Sequence, residues 1–540
     1  KRVLFFIHKP VIAFGAVAVG ITLLIFLMRA TPNAMIPSED TGTIMGVVTL
    51  PPGTSQDRTE QVLAEIDSLV RSSPAVETST MISGYSFIGG QGPSYGSFIV
   101  KLKPWEERSL KQGSTIVAVQ LLLKSLDVFK NAQVLFFQPP MIMGYGVSNG
   151  FSFNLQDRTG GSLDKFYQVS QEFLAELQKR PEIQSAQTTF NPSFPQYMVE
   201  IDEAQCLKAG LSPSAILTTL QGYYGGLYAS NFNRFGKLYR VMIQAAPNKR
   251  VNIETLKSVM VRNGSEMAPI TQFVTLKRIY GPDNINRFNM YTSISVNGNP
   301  ADGYTSGQAL QAIQETADKY LPLGYSFEYS GLSREEQSSS GSTTAIVFLL
   351  CFVFIYLLLS AQYESYLLPM AVLLSVPFGL VGSFLFIQMM GGFNSIIPIF
   401  GAASNNIYTQ IALIMLIGLL AKNAILITEF ALDRRKMGMS ITWAAVLGAG
   451  ARLRPILMTS LAMIVGLLPM MFSFGVGANG NRSLGTTAIG GMLIGMICQI
   501  FIVPALFVAF EYLQEKIIPL KWDDTASTEA EPDIEQYVRK

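Results

Sequence analysis

The sequence contains one histidine, His8, and three cysteines, Cys206, Cys351 and Cys498. A single imidazole excludes a histidine-rich metal centre. The cysteines lie far apart and two sit in apolar runs, so neither a disulfide framework nor a paired-cysteine metal site is indicated. Charge is scarce as well: 14% of residues are charged against 49% hydrophobic, and the formal net charge is +2. A nucleic-acid binder would carry a strong basic bias, so no nucleic-acid partner is expected. The chain also lacks a glycine-rich dinucleotide turn after a strand, a phosphate-binding loop, a GxSxG elbow and an HExxH helix. The reading is therefore a non-enzyme without a cofactor. With no nucleotide motif, any transport must draw on an ion gradient or on another subunit.

What the chain does have is long apolar runs. A helix needs about 20 apolar residues to cross a bilayer. Six stretches qualify: Pro10–Met28, Thr343–Ser360, Tyr366–Met390, Ile407–Phe430, Pro455–Phe474 and Thr486–Phe510. The first stands apart from the other five, with mixed-polarity sequence over 31–340 between them. Lys and Arg in short flanks set orientation. The leading KRVLFFIHK, the DRRK at 433–436, the RLR at 452–454 and Lys521 fall on one side of the bilayer, which is then the cytoplasm. The 31–340 region faces the other way. The start, KRVLFFIHKP, has no Met and no signal-peptide cleavage site, and reads as the middle of something longer. The polar tail from 513 onward reads as a disordered cytoplasmic extension.

The 31–340 region alternates strand and helix patterns. TGTIMGVVTLPPG, VETSTMISGYSF, SYGSFIVKLKP and AQVLFFQPP are strand-like. SQDRTEQVLAEIDSLVRSSP has helical spacing, with Val62, Ile66, Leu69 and Val70 on one face, and TIVAVQLLLKSLDVFKN is a second helix. The order β-α-β-β-α-β is ferredoxin-like. It recurs as GFSFNLQDRTG, SLDKFYQVSQEFLAELQKRPE and IQSAQTTF, then RFNMYTSISVNGN, SGQALQAIQETADKYL and YSFEYSG. An insert at about 195–282 splits the second copy and holds a helix (PSAILTTLQGYY) and a hairpin around NFNRFGKLYRV.

KPWEER (103–108), GFSFNL (150–155), AKNAILITEF (421–430) and RLRPILMTS (452–460) together resemble the second half of a resistance-nodulation-division (RND) exporter of the AcrB/MexB multidrug type. The resemblance covers nearly the whole chain in order. It implies a proton-driven antiporter in the inner membrane of a Gram-negative bacterium. It further implies a homotrimer with a periplasmic porter region, a periplasmic adaptor protein and an outer-membrane channel, exporting amphiphilic small molecules. On that template the domains are the first membrane helix (1–30), a first porter subdomain (31–160), a second (161–194 with 283–340), a docking insert (195–282), five membrane helices (341–512) and a tail (513–540). Metal-ion export through the soft ligands Met141 and Met143, and an accessory or lipid-transport role without drug export, are the alternatives.

Lys422 stands in the apolar run LIGLLAKNAILITEF (416–430). A charge at the membrane centre costs roughly 2.5–3.5 kcal/mol on insertion scales, so it is either packed against a carboxylate or functional. No Asp occurs within any of the six runs, and Glu429 lies about 10 Å along the helix toward its end. The resemblance places the partner aspartates on an N-terminal half that this sequence does not contain. It adds Arg452, Thr459 and, more weakly, Asn423 to a proton relay, although Arg452 could equally be a positive-inside anchor and Asn423 a helix-packing residue. It also assigns Ile82, Tyr85, Phe87 and Ile99, around the glycine-rich SGYSFIGGQGP (83–93), and Phe151 and Phe153 to substrate contact. Plain strand core is the competing reading. Thr80 and Gln187 stand where the family has a phenylalanine and an arginine, so substrate preference is expected to differ.

Overall fold

The computed structural model describes residues 5–7, 10–37, 39–108, 113, 117–121, 132–142, 144–146, 149–301, 303–339, 342–394 and 404–517. His8, Met143, most of the second helix expected after KPWEER and the tail from 518 lie outside them. Two compact units emerge. One comprises the described residues up to Phe190 and from Asn286 onward, and the other is Asn191–Ile285.

In the first unit, α1 (Pro10–Ala30) leads into a sheet of β1 (Thr43–Thr49), β2 (Val76–Ser86), β3 (Gly90–Leu102) and β4 (Gln133–Phe137), with α2 (Gln56–Arg71) between β1 and β2. The strand order is β2-β3-β1-β4, all antiparallel. Alternation sends Ile44, Val48, Phe98 and Val100 to the face that α2 covers with Val62, Leu63, Ile66 and Val70. Ser55 caps α2 by accepting from the Arg58 amide, and Gly96 leaves room for Leu63, whose Cδ2 would lie 2.5 Å from an added Cβ.

A second sheet follows from β5 (Phe151–Asp157), α3 (Leu163–Leu177), β6 (Ile183–Gln187), β7 (Tyr291–Pro300), α4 (Ser306–Tyr320) and β8 (Tyr325–Tyr329). Four of its strands run in the order β6-β7-β5-β8, which repeats that of the first sheet, and Asn286–Phe288 adds a fifth strand beside β7. A capping box at Thr305 and Gln308 starts α4. The Tyr329 hydroxyl, which is buried, donates to the Leu310 carbonyl at 2.7 Å and ties β8 to α4.

The second unit has its own core, built from Cys206, Leu211, Ile216, Leu256, Val259, Val261, Ile270 and Phe273. Phe194–Ile201 pairs antiparallel with Val274–Gly281, and Leu227–Arg234 with Lys237–Ile243. The hairpin turns through Phe235 at φ 53° and Gly236 at φ 70°, the two positive angles of a tight hairpin turn.

Returning to the first unit, α5 (Gly331–Ser339) precedes α6 (Ser342–Tyr363), α7 (Leu368–Leu373), α8 (Val376–Asn394), α9 (Ile407–Lys436), α10 (Ile441–Met471) and α11 (Ala478–Ile517). Among the described residues, six helical stretches are long and apolar enough to cross a membrane. Their boundaries differ from the sequence reading. The third apolar run breaks at Leu374 and Ser375, just ahead of Pro377, into α7 and α8. The fourth helix continues past Phe430 through the flanking DRRK to Lys436. The fifth starts at Ile441 rather than Pro455, so the RLR at 452–454 is helical and Pro455 is internal. The sixth begins at Ala478 rather than Thr486. Backbone bonds continue past the apolar limits because charged side chains at helix ends reach water while the backbone stays paired.

Glycines let α8 and α11 approach closely. A Cβ at Gly382 would sit 2.7 Å from the Gly490 carbonyl oxygen, and one at Gly490 would sit 2.2 Å from Phe386 Cβ. The Ser383 hydroxyl donates to the Thr487 carbonyl at 2.8 Å across the same seam. Small residues at such crossings substitute close packing for the hydrophobic effect, which is absent between helices in lipid. Gly382→Leu is therefore expected to destroy the monodisperse peak in fluorescence-detected size exclusion. Gly466→Ala, where nothing lies within 4 Å of the added carbon, should leave it intact.

Candidate functional site on the α9–α10 pair

Lys422 lies midway along α9 and is exposed, with no hydrogen-bond or ion-pair partner among the described residues. Its neighbours explain the direction it takes. Leu416 and Leu420 are buried in a cluster with residues of α8 and α11, and Ala424 and Ile427 in one with residues of α6, α7, α10 and α11. Two residues past Leu420 is 200° of helical rotation, which turns Lys422 away from that contact. It belongs instead to a stripe at Ile411, Met415, Lys422 and Glu429, spaced by four and seven residues, all exposed.

Asn423 is buried and its Nδ2 donates to Ser460 Oγ on α10 at 3.1 Å. This bond, with the contact of Gly448 against Ala431, fixes α9 and α10 as an antiparallel pair. One residue earlier on each helix, Lys422 and Thr459 turn to the same side. Seven residues along each helix, Glu429 and Arg452 keep that side. The structure thus brings Lys422, Arg452 and Thr459 to one face of the pair. The Arg452 guanidinium lies 4.5 Å from the Phe430 ring centre, and its buried Nε has no hydrogen-bond partner. The Thr459 hydroxyl donates to its own helix, to Pro455 O at 3.0 Å. Asn423 points the other way, into the helix contact, as the packing reading of that residue has it.

The other residues assigned to substrate contact divide into two groups. Thr80 pairs with Ile99, and Ile99 with Met45, so Ile82, Ile99 and Met45 share the face of the first sheet away from α2, all half-buried. Tyr85 is 38% exposed and meets Phe87 edge-on at 5.6 Å, beyond a register shift at Gly84, whose φ is 79°. Phe151 and Phe153 are 1% and 0% exposed and lie in the core of the second sheet. Their alternation marks the face that α3 and α4 cover, because large aromatic rings gain most from complete burial.

The model of the AcrB/AcrD/AcrF family matches residues 1–511. The chain belongs to that family. It is 34% identical to the "Toluene efflux pump membrane transporter TtgB" of Pseudomonas putida over 93% of this chain and 46% of that protein. Over 90% of this chain and 46% of the relative in each case, it is 33% identical to the "Multidrug export protein AcrF" and 32% to the "Multidrug resistance protein MdtF", both of Escherichia coli. The chain spans about half the length of the curated relatives it matches. With six apolar helices it is a multi-pass membrane protein of an RND efflux family.

Sequence reasoning missed Ser460. It stands beside Thr459 in RLRPILMTS, and its small size among long apolar residues was the available signal for a helix contact. In this AcrB/AcrD/AcrF relative the Asn423–Ser460 bond sets the register on which the Lys422 face depends. A double-mutant cycle with Asn423→Ala and Ser460→Ala is expected to give a coupling of about 0.6 kcal/mol, and no more than about 1.7 kcal/mol. Unfolding free energies in detergent micelles measure it, and zero coupling would show that the bond does not hold the register.

Proposed function

We propose that this chain is the C-terminal half of a proton-driven RND pump that exports drugs, solvents and other amphiphilic compounds. The observation that carries the reading is Lys422, an ammonium without a partner among the described residues on an uncovered apolar helix face, with Arg452 and Thr459 on the same side. An N-terminal half supplies the covering helices and the membrane aspartates. While those carboxylates are ionised they hold the ammonium. Protonation from the outer side releases it, the helices repack, and deprotonation toward the cytoplasm restores the pair. No cofactor enters; the proton gradient supplies the free energy.

The reading places the protein in the bacterial inner membrane, with both sheets in the periplasm. The shared strand order supports two ferredoxin-like porter subdomains, 31–160 and 161–194 with 283–340, and supports 195–282 as the docking insert. A homotrimer working with a periplasmic adaptor and an outer-membrane channel completes the assembly. The relatives' names, which speak of toluene and of multidrug export, support organic substrates over metal ions. Ile82, Ile99, Tyr85 and Phe87 offer the apolar, aromatic contact such substrates need.

Lys422→Ala in the complete transporter should reduce dye efflux from energised cells to that of cells without the pump. Expression and trimer formation should remain at parental levels. Near-parental efflux by this variant would overturn the relay.

A further inference from the structure

The described linker residues between α1 and β1, 32–37 and 39–42, are bonded to four other parts of their unit. At the start of α9 the Asn405 amide donates to Pro32 O at 2.8 Å, the Ala34 amide to Asn405 O at 3.3 Å, and the Ile407 amide to Met35 O at 3.1 Å. The Asn405 side chain adds a bond to Asn33 Oδ1 at 3.1 Å. Ile407 is the first residue of α9, so the linker satisfies one of the amides that the helix leaves free.

Toward the second sheet, the Met35 amide donates to Glu336 Oε1 at 3.1 Å, and Ser306 Oγ, at the start of α4, donates to the same oxygen at 2.7 Å. Burial pushes the Glu336 carboxyl above the usual carboxylate range, and these two bonds pull against that shift. Toward α11, Glu39 is 6% exposed and accepts from the Gly480 amide at 2.6 Å and the Asn479 amide at 3.1 Å. A carboxylate on the free amides of a helix start is a strong, directional contact. Toward the first sheet, Asp40 pairs with Arg108 at 3.2 Å; that guanidinium lies 4.5 Å from the Trp105 ring centre, and the Trp105 indole donates to Asp40 O at 3.4 Å. The Leu102 amide then donates to Gly42 O at 2.8 Å.

One short segment therefore grips the starts of the helix that carries Lys422 and of α11, and is anchored in both sheets. Adjacent carboxylates have separate partners. Glu39 holds a membrane helix and Asp40 holds the first sheet, with one peptide unit between them. One planar peptide unit joins their Cα atoms, so the two anchors are covalent neighbours.

We propose that residues 32–37 and 39–42 form a transmission strap in which Glu39 and Asp40 are positioning residues, passing the displacement of α9 and α11 to the first sheet and its Ile82–Ile99 face. The proposal rests on the proton-driven reading above. Its alternative is a strap that only holds the fold together.

The test uses the complete transporter in proteoliposomes under an imposed pH gradient, with ethidium as the transported dye. Glu39→Ala is expected to lower ethidium transport at least tenfold, while the ethidium Kd stays within twofold of parental and the size-exclusion profile is unchanged. Glu39→Gln, whose amide oxygen still accepts from Gly480, should recover part of the rate. Asp40→Asn, at the other end of the link, should lower transport with the same unchanged Kd, and carries the test if Glu39→Ala does not fold. Parental transport by both variants overturns the strap, as does a loss that tracks folded protein or dye affinity. Lys422→Ala serves as the reference. If it still transports, the proton-driven reading fails; if it is inactive while Glu39→Ala and Asp40→Asn both transport normally, the strap alone fails.

Discussion

The bundle depends on the closeness with which α8 and α11 meet. Leucines of α9 use the space that the glycines leave: a Cβ at Gly379 would lie 1.9 Å from Leu420 Cδ1, and one at Gly491 would lie 2.1 Å from Leu416 Cδ2. Gln499 of α11 reinforces the junction by donating to Ser375 Oγ and to Leu420 O, both at 3.1 Å. Because Leu416 and Leu420 must enter that seam, the rotation of α9 is settled, and with it the outward direction of Lys422. The position of the ammonium is thus a consequence of glycine packing on the opposite side of its helix.

Much of this fold could be read before the structure. The strand order along the chain in both sheets, and the described helices between the strands, follow from alternation and from apolar spacing, since one face of each strand must be covered. Val62, Ile66 and Val70 are buried as their spacing requires, and Leu69 is partly so. Helix ends were harder. Hydropathy reports where lipid is tolerated, whereas a helix ends where its backbone bonds end, and those continue through DRRK and past Pro455. The sheet residues show a different limit. Ile82 and Phe153 both sit in alternating strands, but only the layer above decides between half-buried surface and core. Helices α3 and α4 cover Phe153; no described helix covers the face that carries Ile82.

For Lys422 the sequence named the residue, but its surroundings depend on three dimensions. The exposed stripe of Ile411 and Met415 beside the ammonium describes what fits against it: apolar side chains over most of the length and an anion at one level. A soluble helix would place several charges on such a face. Here the Lys422 ammonium beside apolar neighbours is costly in lipid and in an apolar contact alike, and it becomes favourable only opposite a carboxylate. That requirement follows from the face itself, separately from any likeness to relatives.

The two cations of this face are not equivalent. Arg452 rests on the Phe430 ring, where a delocalised, weakly hydrated guanidinium gains from the π face whatever else lies nearby. Arg434 lies 4.9 Å from the centre of the same ring, so Phe430 already serves two positive charges near one end of α9. Lys422 has no such support from the described residues, and its compact ammonium is strongly hydrated. Its energy therefore changes most when a neighbouring carboxylate gains or loses a proton. In the proposed relay this makes Lys422 the group that responds to the proton and Arg452 a fixed positive charge that biases the site, a division set by what each cation already touches.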